Sequence, residues 1–438
     1  MSIIAVILCL ALLILLIAYW HFNPFIAFLI SALVGGVLLG IPLDKIPQSI
    51  EQGIGSMLGS LAAIICLGAM FGKLIADSGA AQKITTVLIR VCGKKYITWA
   101  LMLTGFIVGI PLFYNVGFVL LVPLVFAVAA QTKLPAVYLG IPLLAALSVT
   151  HGFLPPHPSP TALVPQFNAD IGLTLLYGLI IGLPTMVLAG PVFAGILKNI
   201  HCAPLATFMP EFIDEESLPS ARNSFFIALL PVLMLSLAAL LPLVIAENSQ
   251  YKKFIIFAGS PLVVMLVALA VGSYCIGLKQ GISIKTLMLN YTQAIKDIAL
   301  ILFIIAGAGA LKQVFIDSGV SNEIATTLKN IPFNPLLLGW LIAFIIRVCL
   351  GSATVAGLTA ASIMAPWVLT ASSINPNLMV LAIGAGSLMC SHVNDSGFWM
   401  YKEYFNLSLR DTFKSWTVME TIVGLAGLIG VLLLDLVV

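Results

Sequence analysis

Two long apolar stretches of this chain give way to short polar sequences at matching places of a repeat. The first is Thr150-His151-Gly152-Phe153-Leu154-Pro155-Pro156-His157-Pro158-Ser159-Pro160-Thr161, and the second is Ser391-His392-Val393-Asn394-Asp395-Ser396-Gly397. His151 and His392 are 241 positions apart; Asp77-Ser78-Gly79 and Asp317-Ser318-Gly319 are 240 apart, as are Gly117 and Gly357. No water reaches a bilayer core, so backbone groups freed by a helix break are tolerated only where protein or a wet cavity meets them. A pair of such breaks at corresponding places in two halves points to a carrier's binding site.

Composition sets the surroundings. The chain is 61% hydrophobic and 8% charged, with a mean hydropathy of +1.14. A soluble domain carries about 25% charged residues, so the apolar runs are read as transmembrane helices. The alternation of a membrane barrel is absent. Residues 2–20 have neither a basic start nor a small-residue cleavage site, and are read as a retained helix. A net charge of +3 identifies no partner, and nucleic acid is not expected as one. The seven cysteines show no CxxC spacing and point to no disulfide framework or zinc site. No P-loop, dinucleotide fingerprint or HExxH occurs. No cofactor, metal or ATP-driven engine is expected.

Crossings are expected at 2–20, 24–41, 57–76, 135–168 (broken), 171–198, 223–245, 254–277, 294–316, 377–400 (broken) and 413–437. Two further stretches, 97–131 and 333–371, have polar centres at Pro111-Leu112-Phe113-Tyr114-Asn115-Val116-Gly117 and Gly351-Ser352-Ala353-Thr354-Val355-Ala356-Gly357. These are read as re-entrant hairpins, with full spanning as the alternative. Segments 78–95 and 318–331 suit interfacial helices leading into them. The expected fold is an all-α polytopic membrane protein with a repeat over 1–198, a polar cytoplasmic linker over 199–222 and a second repeat over 223–438. Five crossings per half is an odd number, so the second half enters from the opposite side and the repeats are inverted. Lys83, Arg90, Lys94, Lys95, Lys133, Lys198, Arg222, Lys279, Lys285, Lys402, Arg410 and Lys414 fall on one face; Lys45, Lys252, Lys253, Lys312 and Lys329 fall on the other. That bias places the first face in the cytoplasm and both termini outside.

The candidate site residues lie in the breaks and hairpin centres. Pro155, Pro156, Pro158 and Pro160 forbid a continuous helix. The polar members around them, His151, His157, Ser159 and Thr161, bond hydroxyls without carrying fixed charge; a proline-rich external loop is the plainer alternative. Asp395 is an intramembrane carboxylate, costly if ionised and unpaired. It is the first candidate to carry a proton, with His392 and His151 behind it. Its competing role is that of an N-cap, shared with Asn394. Arg347, four residues before Gly351, is too deep to snorkel and needs an anion, either Asp395 or a substrate carboxylate. Lys73 reads as snorkelling, Asp297 as a cap, and Glu420 as either a second titrating group or an interfacial one.

The stretches GSATVAGLTAAS (351–362), SHVNDSGFWMYKEYFNLSLRDTFKSWTVMETI (391–422), FLPPHPSPTA (153–162) and GKLIADSGAAQKI (72–84) closely resemble the gluconate permease family of bacterial sugar-acid:proton symporters. The likeness runs over nearly the whole chain and is weakest in 199–222. It implies an inner-membrane symporter in a superfamily of inverted-repeat homodimers with two re-entrant hairpins. One departure is visible. Many members carry a Glu in the first hairpin centre (FFEVGF), where this chain has Phe113-Tyr114-Asn115-Val116-Gly117-Phe118. Proton coupling would then fall to Asp395 or a histidine. The family also includes idonate, fructuronate and D-serine carriers, so the resemblance only bounds the substrate.

The leading expectation is import of a small anionic sugar acid with protons. Tyr114, Asn115, His157, Ser159, Thr161, Ser352, Thr354 and Asn394 would meet its hydroxyls, while Arg347 and half-helix N-termini would meet its carboxylate. A sodium-coupled carboxylate or amino-acid carrier is the nearest alternative. An intramembrane enzyme is the outsider, because His151 and His157 have no third ligand or HExxH helix beside them.

Overall fold

The structure, a computed structural model, describes all residues except 1, 111–113, 156, 204–213, 215–217, 245–249, 321–322, 324–333 and 371–373. Among the described residues the regular elements are helices, with no strand. Seven helices are long and apolar enough to cross a membrane: Ile46–Asp77, Tyr114–Thr132, Ala136–Phe153, Ile171–Val192, Pro261–Gln280, Ile284–Asp317 and Leu409–Asp435. Shorter apolar helices, among them Pro24–Leu38, Pro335–Leu350 and Pro376–Leu388, complete a multi-pass bundle. Large apolar side chains such as Ile196, Leu241, Phe257 and Leu433 stand exposed on its outside. That surface suits lipid rather than water.

From Ile46 onward the second half repeats the element order of the first. Ile46–Asp77 corresponds to Ile284–Asp317, Ile97–Gly109 and Tyr114–Thr132 to Pro335–Leu350 and Ala353–Thr370, and the broken pair Ala136–Phe153 and Pro158–Gln166 to Pro376–Leu388 and Ser396–Tyr404. Local sequence sets several of the starts. Asn23, Asn334 and Asn375 each precede a proline at the first helical position and accept from a backbone N–H two residues on. This combines a side-chain cap with a residue that has no N–H to satisfy.

The long helices Ile46–Asp77 and Ile284–Asp317 pack along each other and cross where both lack side chains. A Cβ on Gly53 would lie 2.4 Å from the Gly309 carbonyl oxygen, and one on Gly309 2.7 Å from that of Gly53. Both helices outrun the expected crossings at 57–76 and 294–316. Pro47 stands at the first helical positions, where proline is tolerated, and the polar first turn of the second helix has no proline, so both helices continue beyond the apolar window. The stretch expected as one crossing at 254–277 is instead divided at Gly259-Ser260-Pro261, where Ser260 is extended and Pro261 opens a new helix.

Two-helix units and broken helices interlock across the halves. Ile97–Gly109 packs on Ala136–Phe153 and Pro335–Leu350 on Pro376–Leu388, each within its own half. The following arms reach the other half. Ala353–Thr370 lies on Pro158–Gln166, and Tyr114–Thr132 meets the end of the second broken helix through Phe118–Tyr404 and Phe126–Phe405, with ring centroids 5.2 Å and 4.8 Å apart. The tip residues Pro111, Leu112 and Phe113, the residue Pro156, most of the linker's acidic run and most of 318–331 lie outside the described residues.

Candidate functional site

Helix breaks leave the last carbonyls of neighbouring helices to be satisfied, and here the polar residues of each break do so. The His157 ring Nε2–H donates to the Gly109 carbonyl at 2.7 Å, at the end of the first unit's leading arm. In the second half the His392 Nε2–H donates to the Val348 carbonyl at 3.1 Å. Asn394 Nδ2 donates to Val348 and Cys349 at 2.6 Å and 3.1 Å. These bonds tie the helix ends at Gly109 and at Val348 and Cys349 each to the break beside it by capping carbonyls a helix cannot cap itself. Gly351 turns the second tip in the left-handed region, at φ 69° and ψ 16°.

Asp395 sits at the junction. It is the N-cap of Ser396–Tyr404, accepting from the Gly397 N–H at 2.9 Å through Oδ1. Its Oδ2 accepts from the Ser391 hydroxyl and forms a buried ion pair with Arg347 Nη2. The cap, weighed in the sequence against a proton-carrying role, and the pairing with Arg347, weighed against a substrate carboxylate, are both present. Arg347 is only 5% exposed. A π-turn over Phe413–Thr417 shifts the register of the last helix, so that Trp416 Nε1 donates to Ser391 Oγ at 2.7 Å and the Thr417 hydroxyl to the Ser391 carbonyl at 2.7 Å. Such turns recur at functional sites.

These groups border a cavity of about 400 Å³. Of the expected residues, Tyr114, Asn115, His151, Arg347, Ser352, Thr354, Asn394 and Asp395 line it, so both halves contribute. His157, Ser159, Thr161 and His392 are not among the lining residues. His157 and His392 hold carbonyls, while Ser159 faces Gly357, where a Cβ would lie 2.8 Å from Ser159 Oγ. Several buried polar atoms of lining residues have no hydrogen-bond partner among the described residues: Tyr114 Oη, His151 Nδ1, Arg347 Nε and Nη1, Asn394 Oδ1 and Glu420 Oε2. Buried polar groups are normally hydrogen-bonded. Six such atoms belong to residues that line this one cavity.

The cavity contains no cluster of His, Cys, Asp or Glu suited to a metal ion; none occurs among the described residues. By sequence the chain matches the family described as GntP family permease over residues 1–437. The chain belongs to the GntP permease family. It is 47% identical to the high-affinity gluconate transporter of Escherichia coli strain K12 over 428 residues, 98% of each chain. It is 46% identical to that organism's Gnt-II system L-idonate transporter, over 98% of this chain and 97% of the relative. The gluconate permease of Bacillus subtilis strain 168 is 46% identical over 95% of both chains. The GntP-family chain is thus a multi-pass membrane permease and not an enzyme.

Among the lining side chains of this permease that sequence reasoning missed are Ser60, Ser148, Lys312 and Trp416, and it left Glu420 between a titrating and an interfacial role. The sequence reading puts Lys312 among surface charges, but it lines the cavity, which leaves four basic residues on that face. Among the described residues no carboxylate pairs with it. Lys73 does not simply snorkel: it pairs with Asp77 at 2.9 Å, and Asp77 also accepts from Asn290 at 2.8 Å. Glu420 is 2% exposed and accepts from the Ser148 hydroxyl.

Proposed function

We propose that this permease carries a small sugar acid of the gluconate type into the bacterial cell, across the inner membrane, together with protons. The gathering, in residues that line one cavity, of buried polar atoms without a hydrogen-bond partner among the described residues carries this reading. Arg347 Nε and Nη1 are donors for a carboxylate, and Lys312 is a second cation that pairs with no carboxylate among the described residues. His151 Nδ1 and Asn394 Oδ1 accept from hydroxyls, while Asn115, Ser352 and Thr354 offer further polar contacts. A polyhydroxy monocarboxylate supplies the complementary groups in one molecule. The cavity volume lies within the range of about 300–1,000 Å³ usual for small-molecule sites. The names of the relatives support gluconate and its stereochemical neighbour idonate as the substrate class.

Radiolabelled gluconate uptake into membrane vesicles, with pH and Na⁺ gradients imposed separately, tests the reading. Accumulation driven by an outside-acid gradient and indifferent to Na⁺ is expected. Accumulation that follows Na⁺ alone would turn the reading to the sodium-coupled carrier, and no gluconate uptake would end it. Lys312→Gln is expected to raise KM for gluconate by roughly tenfold or more, since a hydrogen bond to a charged group contributes about 1.5–3 kcal/mol. An unchanged KM would remove Lys312 from the substrate's contacts.

The halves are proposed to be inverted repeats whose two-helix units enter from opposite faces, with both termini outside. The basic residues remaining on each face support this orientation. Ser408→Cys in a cysteine-free background should react with thiol reagents only from the cytoplasmic side. Labelling by an impermeant reagent added outside intact cells would reverse the orientation.

A further inference from the structure

The charges around the cavity do not balance once a substrate anion enters. Its charged lining residues among those described are Lys312, Arg347, Asp395 and Glu420, two cations and two carboxylates. With both carboxylates ionised the lining sums to zero, and a bound monocarboxylate leaves one uncompensated negative charge. In a low-dielectric site that charge is costly to carry through a change of access. One proton on one lining carboxylate makes the loaded site neutral.

The two carboxylates are not equivalent. Asp395 has both oxygens engaged, accepting from Gly397 N–H, from the Ser391 hydroxyl and from Arg347. Its charge holds the guanidinium, and a proton on Oδ2 would release that pairing. Glu420 is more deeply buried, with Ser148 on Oε1 and no partner on Oε2. Other titratable groups face it from the cavity: Lys312, Arg347, Asp395, His151 and Tyr114. The packed helix Pro376–Leu388 has no titratable residue, and Ile171–Val192 has only Tyr177. His151 is the competing acceptor through Nδ1, but a proton there adds a third cation beside Lys312 and Arg347.

We infer that Glu420 takes up the transported proton on Oε2, one proton for each substrate anion, while Asp395 stays ionised as the partner of Arg347. This rests on the proposed sugar-acid:proton symport and adds to it the residue and the stoichiometry. The proton enters from the outer water with the substrate and leaves to the cytoplasm after it; no bond other than O–H forms or breaks.

Proteoliposomes containing the full-length protein give the test. One pH unit is worth about 1.4 kcal/mol per proton, so electroneutral one-to-one coupling drives about tenfold gluconate accumulation in the wild type. Glu420→Gln should reduce this to no accumulation, while exchange of labelled for unlabelled gluconate persists and loses its dependence on external pH. Glu420→Asp should recover part of the accumulation, and whatever gluconate transport His151→Gln retains after its loss of a hydroxyl contact should still follow the pH gradient. Thermal unfolding in detergent, with and without gluconate, checks that each variant folds and binds. Wild-type vesicles that ignore the pH gradient would refute the symport reading itself. Wild-type coupling together with tenfold accumulation by Glu420→Gln, or a His151→Gln variant that still exchanges gluconate but no longer follows the pH gradient, would overturn the role of Glu420.

Discussion

Arg347→Gln is expected to abolish gluconate uptake and to destabilise the protein, and adding Asp395→Asn is expected to restore the stability alone. The single substitution leaves Asp395 buried with its main counter-charge gone. Breaking a buried pair from one side costs about 3–5 kcal/mol, whereas neutralising both partners removes the uncompensated charge. Asparagine caps a helix about as well as aspartate, so the cap at the start of Ser396–Tyr404 survives the double change. Uptake should not return, because the unpartnered Nε and Nη1 donors of Arg347 are also gone. Removing one partner of a buried charged hydrogen bond costs about 2–5 kcal/mol, a loss on the order of a hundredfold in affinity. Thermal unfolding and labelled-gluconate binding measured on both variants separate the effects. A double variant that binds gluconate normally would reduce Arg347 to a structural partner of Asp395.

Gly351→Ala is expected to be the most damaging single-methyl addition in the second half. Gly351 has φ 69°, which costs a residue with a Cβ about 1–2 kcal/mol. The added methyl would also lie 2.1 Å from the Asn394 carbonyl oxygen, on the break that the tip must touch. Backbone cannot yield there without losing the Asn394 bonds to Val348 and Cys349. The combined loss is expected to exceed about 3 kcal/mol, in the range reserved for steric strain and broken networks. Gly281→Ala is the internal control, because Gly281 also has positive φ (85°) but nothing within 4 Å of the added methyl. Equal losses of thermal stability in the two variants would show that tip–break contact adds nothing beyond backbone conformation.

Much of the fold was legible because membranes make breaks conspicuous. The offsets linking Asp77 with Asp317 and His151 with His392 match pairs of helices in the structure, and the prolines at 155–160 and the polar run 391–397 fall where helices stop. The gathering of Asn115, Arg347, Thr354 and Asp395 about one cavity followed from the same logic. What local sequence concealed depends on packing between distant segments. Lys312 lies five residues before the end of a 34-residue helix, where a charge ordinarily reads as interfacial. Only the crossing of that helix with Ile46–Asp77, at Gly53 and Gly309, turns Lys312 into a cavity residue. Trp416 depends on a π-turn that has no plain sequence signature, and Glu420 on the same shift of register. His157 and His392 have a structural use that local sequence does not show: carbonyls of another helix need donors.

That the cavity between the second tip and the second break receives the substrate is tested most directly by a structure determined with gluconate bound. The carboxylate should lie within hydrogen-bonding distance of Arg347 Nε or Nη1 and near Lys312, with hydroxyls toward His151, Asn394 and Thr354. Gluconate seated instead at His157, Ser159 and Thr161, with Arg347 and Lys312 out of reach, would contradict it.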